Sequence, residues 1–184
     1  MTVGRSRRPS PLGALLAPLL LLLVVACTGD PQTSAIDGPG HPVEIHVRWV
    51  LDSLPDVEIA IYEPLPDDRP GDTTTYAAGQ APPASTAISD GILRAEFDEP
   101  VRFVVLLSNR GTEPVRFWTP PHLALPIAAE PHLVITCLCT GEQYEVAAGG
   151  SWRRVVEYGL SRRSPTREAL SITHVFVRGN LPAP

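Results

Sequence analysis

The chain has 184 residues, 43% hydrophobic and 19% charged, which is enough for one domain with a core and appendages and too few for two ordinary domains. Fifteen basic residues stand against 20 acidic ones, for a net charge of −5. Setting aside Arg5, Arg7 and Arg8 leaves 12 basic residues against 20 acidic and a charge of −8, which argues against a nucleic-acid partner.

Residues 1–26 read as an export signal, with a basic head, an apolar stretch from Leu19 to Ala26 and a small residue before Cys27. The end of the stretch, Val24-Val25-Ala26-Cys27, resembles the lipobox of bacterial lipoproteins, in which the cysteine is acylated and becomes the mature N-terminus. Pro18 interrupts the apolar run, and the stretch beyond it is shorter than the ~20 residues a membrane span needs. The expectation is an extracytoplasmic protein, held by lipid on Cys27 to a bacterial membrane at the periplasmic face or the cell surface. Residues 27–42 are rich in Gly, Pro, Asp and Ser without periodicity, as a flexible tether is.

From Val43 to the end the pattern is that of one domain. Val43, Ile45, Val47 and Trp49 alternate with Glu44, His46 and Arg48, the period of a half-buried strand, and residues 57–62 repeat it. Residues 64–91 are dense in turn formers and predict a long irregular loop. Further strands are predicted at 92–97, 101–108, 114–118, 132–139, 142–146, 152–158 and 170–177, with Gly-, Asn- and Pro-rich turns between them. No segment carries a 3.6-residue amphipathic stripe. About seven to nine short strands spaced in this way predict an all-β, immunoglobulin-like sandwich.

The chemistry concentrates in "LVITCLCTGEQYEV", residues 133–146. On an extended strand Cys137 and Cys139 project from one face, about 6.6 Å apart along the chain at a rise of ~3.3 Å per residue. That separation is near the upper limit for a disulfide, so a bond across one residue would be strained and labile. A shared metal asks for less distortion, and soft thiolates favour Cu(I), zinc or iron–sulfur clusters. Zinc and clusters want four ligands whereas Cu(I) accepts two or three, so the pair leans toward copper. Buried thiols acting as small hydrophobes remain an alternative, although two on one face are a liability in an oxidising compartment.

At this stretch the sequence resembles the copper-delivery family of cytochrome c oxidase assembly proteins, the CtaG type, which inserts Cu(I) into the CuB site. The resemblance rests on Cys137-Leu138-Cys139 followed by Glu142-Gln143, then "AAGGS" and "WRRVVEYGL". Upstream, "VVLLSNRGTEPV" and Thr119-Pro120 are similar to that family, as is "EALSITHVFV" downstream; "VRWVLDSLPDVEIAIYEP" echoes it more faintly. Leu138 and Thr140 stand where the family has aromatic residues. The resemblance implies an Ig-like sandwich that binds Cu(I) through Cys137 and Cys139 and forms a homodimer bridging copper. It further implies a haem–copper oxidase subunit I as the acceptor, and no enzymatic activity.

Glu142 and Gln143 are candidates for orienting such a site, with Glu142 also a route for released protons. His122 and His132 are further candidate ligands, as imidazole suits copper, although a histidine beside prolines is more often a surface residue. His46 and His174 alternate with apolar neighbours and are expected at solvent or at an edge, without a role. Trp49, Trp118 and Trp152 are expected in or at the rim of the core, and Arg153-Arg154 and Arg162-Arg163 in solvent. No Ser-His-Asp, HExxH, P-loop or GxGxxG pattern is present. Two other functions compete with copper delivery: a non-metal structural or interaction lipoprotein of the cell envelope, and a redox protein cycling a Cys137–Cys139 disulfide.

Overall fold

The structure, a computed structural model, describes residues 42–136, 138–167 and 169–180. The export signal, Cys27, nearly all of the tether and Cys137 lie outside the described residues. Among the described residues no helix is long and apolar enough to cross a membrane.

Eleven strands succeed one another: β1 Val43–Asp52, β2 Val57–Tyr62, β3 Thr73–Tyr76, β4 Ile92–Ala95, β5 Val101–Asn109, β6 Val115–Trp118, β7 Leu123–Leu125, β8 Leu133–Thr136, β9 Gln143–Val146, β10 Ser151–Leu160 and β11 Ala169–Arg178. A 3-10 helix, Ile127–His132, stands between β7 and β8. One sheet runs β4-β1-β11-β6-β9 with β7 also on β11; the other runs β2-β5-β10-β3 with β8 also on β10. The chain is therefore the all-β sandwich that its strand spacing predicts. The nine predicted strands all form, and β3 and β7 are additional.

Period-two alternation builds the core. Val43, Ile45 and Val47 of β1 turn inward, while Glu44 and Arg48 of the same strand stay nearer solvent. The last strand lies parallel to the first, Ile45 beside Leu170 and Trp49 beside His174, so both ends of the domain share one sheet. Between the sheets Phe117 meets Trp152 edge-on at 5.4 Å, and within its own sheet it lies 5.5 Å from Phe176, geometries that aromatic rings favour. The turn into β10 requires glycine twice. Gly149 has φ +67°, and a Cβ on Gly150 would stand 2.7 Å from the carbonyl oxygen of Tyr76.

Buried Asn109 ties two turns together. Its Nδ2 donates to the carbonyls of Glu113 at 2.8 Å and Ala147 at 3.1 Å, while Oδ1 accepts from Gly111 N at 3.0 Å. Every strong donor on this interior side chain has a partner, as burial demands.

The segment 64–91 is not the uniformly irregular loop its composition suggests. Thr73–Tyr76 adds a strand to β10, Gly71 and Asp72 exchange backbone bonds with Val155, and Ala87 bridges Tyr62. The physical reason is that β10 would otherwise show the solvent an unpaired edge and two arginines. Arg153 and Arg154, expected in solvent, are accordingly both buried. Arg153 pairs with Asp68, and Arg154 donates to Thr73 Oγ1 at 2.8 Å and to the Tyr144 hydroxyl at 2.9 Å. Burial pushes the Asp68 carboxyl upward, but the bonds from Arg153 and from the backbone N–H of Leu65 outweigh it and hold the group below its ordinary value. Asp68→Ala leaves the Arg153 charge beneath this loop without its carboxylate, and a loss of about 2 kcal/mol is expected. Urea unfolding at neutral pH reads it, with Asp67→Ala, an exposed neighbour, changing stability by less than about 0.5 kcal/mol.

Candidate functional site

The thiol segment leaves the sheet earlier than its composition predicts. A strand through residue 139 is the expectation; β8 ends at Thr136 and Leu138 stands in a bend. Leu138 causes this, because its side chain is fully buried in the core and its carbonyl accepts from Thr119 Oγ1 and, at 3.0 Å, from Thr140 N. A backbone bond from residue i+2 to residue i closes a three-residue turn, which an extended strand cannot hold. The separation expected for two cysteines on a flat strand therefore does not apply, and Cys139 is disulfide-bonded.

Beyond Cys139 the chain is held a second time. Thr140 Oγ1 lies 3.1 Å from the Tyr144 hydroxyl and 3.2 Å from Glu142 Oε2, and Tyr144 donates to Glu142 Oε2 at 2.6 Å. Arg154 stands 3.9 Å from the same carboxylate. The bonds from Tyr144 and Thr140 hold the Glu142 carboxyl below its ordinary value, while burial and Glu142 push the Tyr144 hydroxyl up. Gln143 donates to Asn180 at 3.1 Å. In this arrangement Glu142 and Gln143 brace the loop against β9, β10 and the end of β11.

On the other side of the thiol stands His122. The register of β7 on β11 pairs Leu123 with Thr173 and Ala124 with Ile172; carried one residue further, it sets His122 opposite His174. Leu123 and Leu125 face outward and Ala124 inward, so the same alternation turns His122 inward. Its Nδ1 lies 3.6 Å from Cys139 Sγ, and its Nε2 lies 2.9 Å from Glu130 Oε1 on the 3-10 helix. Disulfide sulfur, imidazole and carboxylate are thus arranged in a row. His132 ends that helix, and its carbonyl accepts from Ser161 N; among the described residues no contact joins its ring to Cys139.

His174 overturns its expected place at solvent or an edge. It is fully buried, and its Nε2 lies 2.6 Å from the hydroxyl of Tyr158 in the opposite sheet. Its ring stacks on Trp49 at 5.6 Å and lies 5.7 Å from that of His122. Its Nδ1 is buried with no hydrogen-bond partner among the described residues. Burial, and after it the neighbouring His122, pulls the ring down to about 3, so it is neutral throughout the physiological range. The signal is present in the sequence: Leu170, Ile172 and Phe176 are apolar at two-residue steps, and His174 shares their parity. Glu130 leaves no such signal, because only the 3-10 helix carries it to His122.

The distances set what the arrangement can do chemically. Two donors on one ion, sulfur at ~2.3 Å and nitrogen at ~2.0 Å, lie roughly 3.5–3.7 Å apart when the angle between them is tetrahedral to trigonal. The separation of Cys139 Sγ and His122 Nδ1 falls within that interval, and a carboxylate on the far nitrogen is the support that metal-ligating histidines commonly have. Two donors do not make a complete site, and among the described residues no group of three or more His, Cys, Asp or Glu side chains could hold a metal ion.

Comparison with curated proteins found no match. Residues 43–179 match a family described as "Domain of unknown function (DUF8709)". Because that match runs from the first residue of β1 to the glycine after β11, the chain belongs to this family of unknown function.

Proposed function

We propose that this protein is an extracytoplasmic, lipid-anchored Cu(I)-binding chaperone in which Cys139 and Cys137 supply thiolates. The observation that carries the reading is the 3.6 Å separation of Cys139 Sγ from His122 Nδ1, with Glu130 on the opposite nitrogen. Copper is cargo here, held by soft sulfur and imidazole donors that an acceptor's ligands can displace one at a time. The disulfide on Cys139 makes loading conditional. A dithiol reductant must first donate two electrons and two protons, itself becoming a disulfide, before thiolates are available. Delivery to the CuB site of a haem–copper oxidase subunit I, and a dimer sharing copper between two Cys-x-Cys pairs, draw their support from the resemblance around Cys137-Leu138-Cys139 and Glu142-Gln143.

Competition against a chromophoric Cu(I) chelator, after reduction and removal of the dithiol under anaerobic conditions, tests this. Cys139→Ser and Cys137→Ser are each expected to weaken binding by more than about 100-fold, and Glu142→Gln, which braces the loop, by less than about 10-fold. Equal binding by wild type and both cysteine variants would falsify the copper reading. The disulfide on Cys139 also favours a second reading, an envelope scaffold stapled by that bond. In that case reduction lowers the unfolding temperature and tight copper binding is absent.

A further inference from the structure

We infer that His122 and His174, each through Nδ1, add two imidazole ligands to the copper site that the Cys139 thiolate begins. The inference rests on the copper reading of Cys139 and goes beyond it, since it assigns the inner ligand to a residue of the core.

Three observations carry it. In both rings the far nitrogen stands near an oxygen, His122 Nε2 2.9 Å from Glu130 Oε1 and His174 Nε2 2.6 Å from the Tyr158 hydroxyl. An oxygen that accepts a proton from Nε2, as a carboxylate does and a tyrosine hydroxyl can, leaves the lone pair of Nδ1 for an ion. The near nitrogens are placed to take it: Nδ1 of His122 faces Cys139 Sγ, and Nδ1 of His174 is a fully buried polar atom with no partner among the described residues. A buried polar atom without a partner is destabilising, so its retention in a well-packed core calls for an explanation.

The ring separation is the third observation. One ion bound at ~2 Å by a nitrogen of each ring sets the ring centres roughly 5.2–6.3 Å apart as the angle at the metal opens from tetrahedral to linear. The observed centroid separation is 5.7 Å. Among the described residues no three His, Cys, Asp or Glu side chains already converge on one point, so binding must draw the donors inward. Imidazole and thiolate donors together suit copper.

The test uses the reduced full-length protein with histidines labelled in 15N, titrated with Cu(I) and followed by long-range proton–nitrogen correlation of the rings. The expected result is that Nδ1 of both His122 and His174 shifts up to one equivalent of copper while Nε2 of each moves far less. His174→Gln is expected to weaken Cu(I) binding about 10- to 100-fold. Tyr158→Phe, which keeps the ring and removes the hydroxyl on Nε2, should weaken it by a smaller factor with His174 Nδ1 still shifting. Copper bound tightly with His174 Nδ1 unmoved would overturn this inference and leave the thiolate reading standing. No tight copper binding at all would overturn both.

Discussion

Leu138→Ala is expected to destabilise the domain by about 3 kcal/mol, within the range measured for deleting a buried leucine side chain. The residue lies between two cysteines and looks from its neighbours like one more apolar position of a strand. In the fold it is a fully buried plug whose carbonyl also accepts the Thr119 hydroxyl. Removing the plug leaves a cavity and releases the bend that sets Cys139 beside His122. Two readouts are therefore expected to move together: the urea midpoint falls at constant slope, and Cu(I) affinity of the reduced protein falls as well. Val134→Ala is the control, because Val134 is 72% exposed and its truncation should change stability by less than about 0.5 kcal/mol. An unchanged urea midpoint in Leu138→Ala would mean that the core does not anchor the thiol loop.

The second large effect is on pH. In the metal-free protein stability should be full above about pH 6.5 and fall as the solution is acidified. The folded domain keeps His174 neutral, its value pulled down to about 3, whereas the unfolded chain takes up a proton near the ordinary imidazole value of 6.5. Between those two values the unfolded state holds one more proton, and the native state loses about 1.4 kcal/mol per pH unit. About 2 kcal/mol is lost by pH 5, and the loss continues until the buried ring itself protonates near 3. The carboxyls of Asp68 and Glu142, also held low, add losses of the same sign, but only as the pH falls into the unfolded carboxylate range. Urea titrations between pH 6.5 and 5 therefore isolate the histidine. His174→Gln should flatten the slope over that window whatever its effect on absolute stability; a variant slope equal to wild type would remove His174 as the cause.

These two residues also mark the reach of local pattern. The strands are legible because their cause is local: Val43, Ile45 and Val47 alternate with polar neighbours, and a period of two has one solution when one face must be dry. His174 is legible by the same rule, yet its residue type outweighs its parity with Leu170, Ile172 and Phe176. Arg153 and Arg154 look solvated for the same reason. Nothing in their neighbourhood reports that Thr73 and Asp68, some eighty positions away, return to cover them.

Alternation is a property of neighbouring residues, and it was enough to establish the all-β class and the order of the main strands along the chain. Three meetings emerged only once the sandwich was assembled: Leu138 breaks the strand, Cys139 reaches His122, whose other nitrogen lies by Glu130, and His174 crosses the core to Tyr158. They join β7, the 3-10 helix, β10 and β11, and they arise from cross-strand register and burial, which act between segments far apart in the chain.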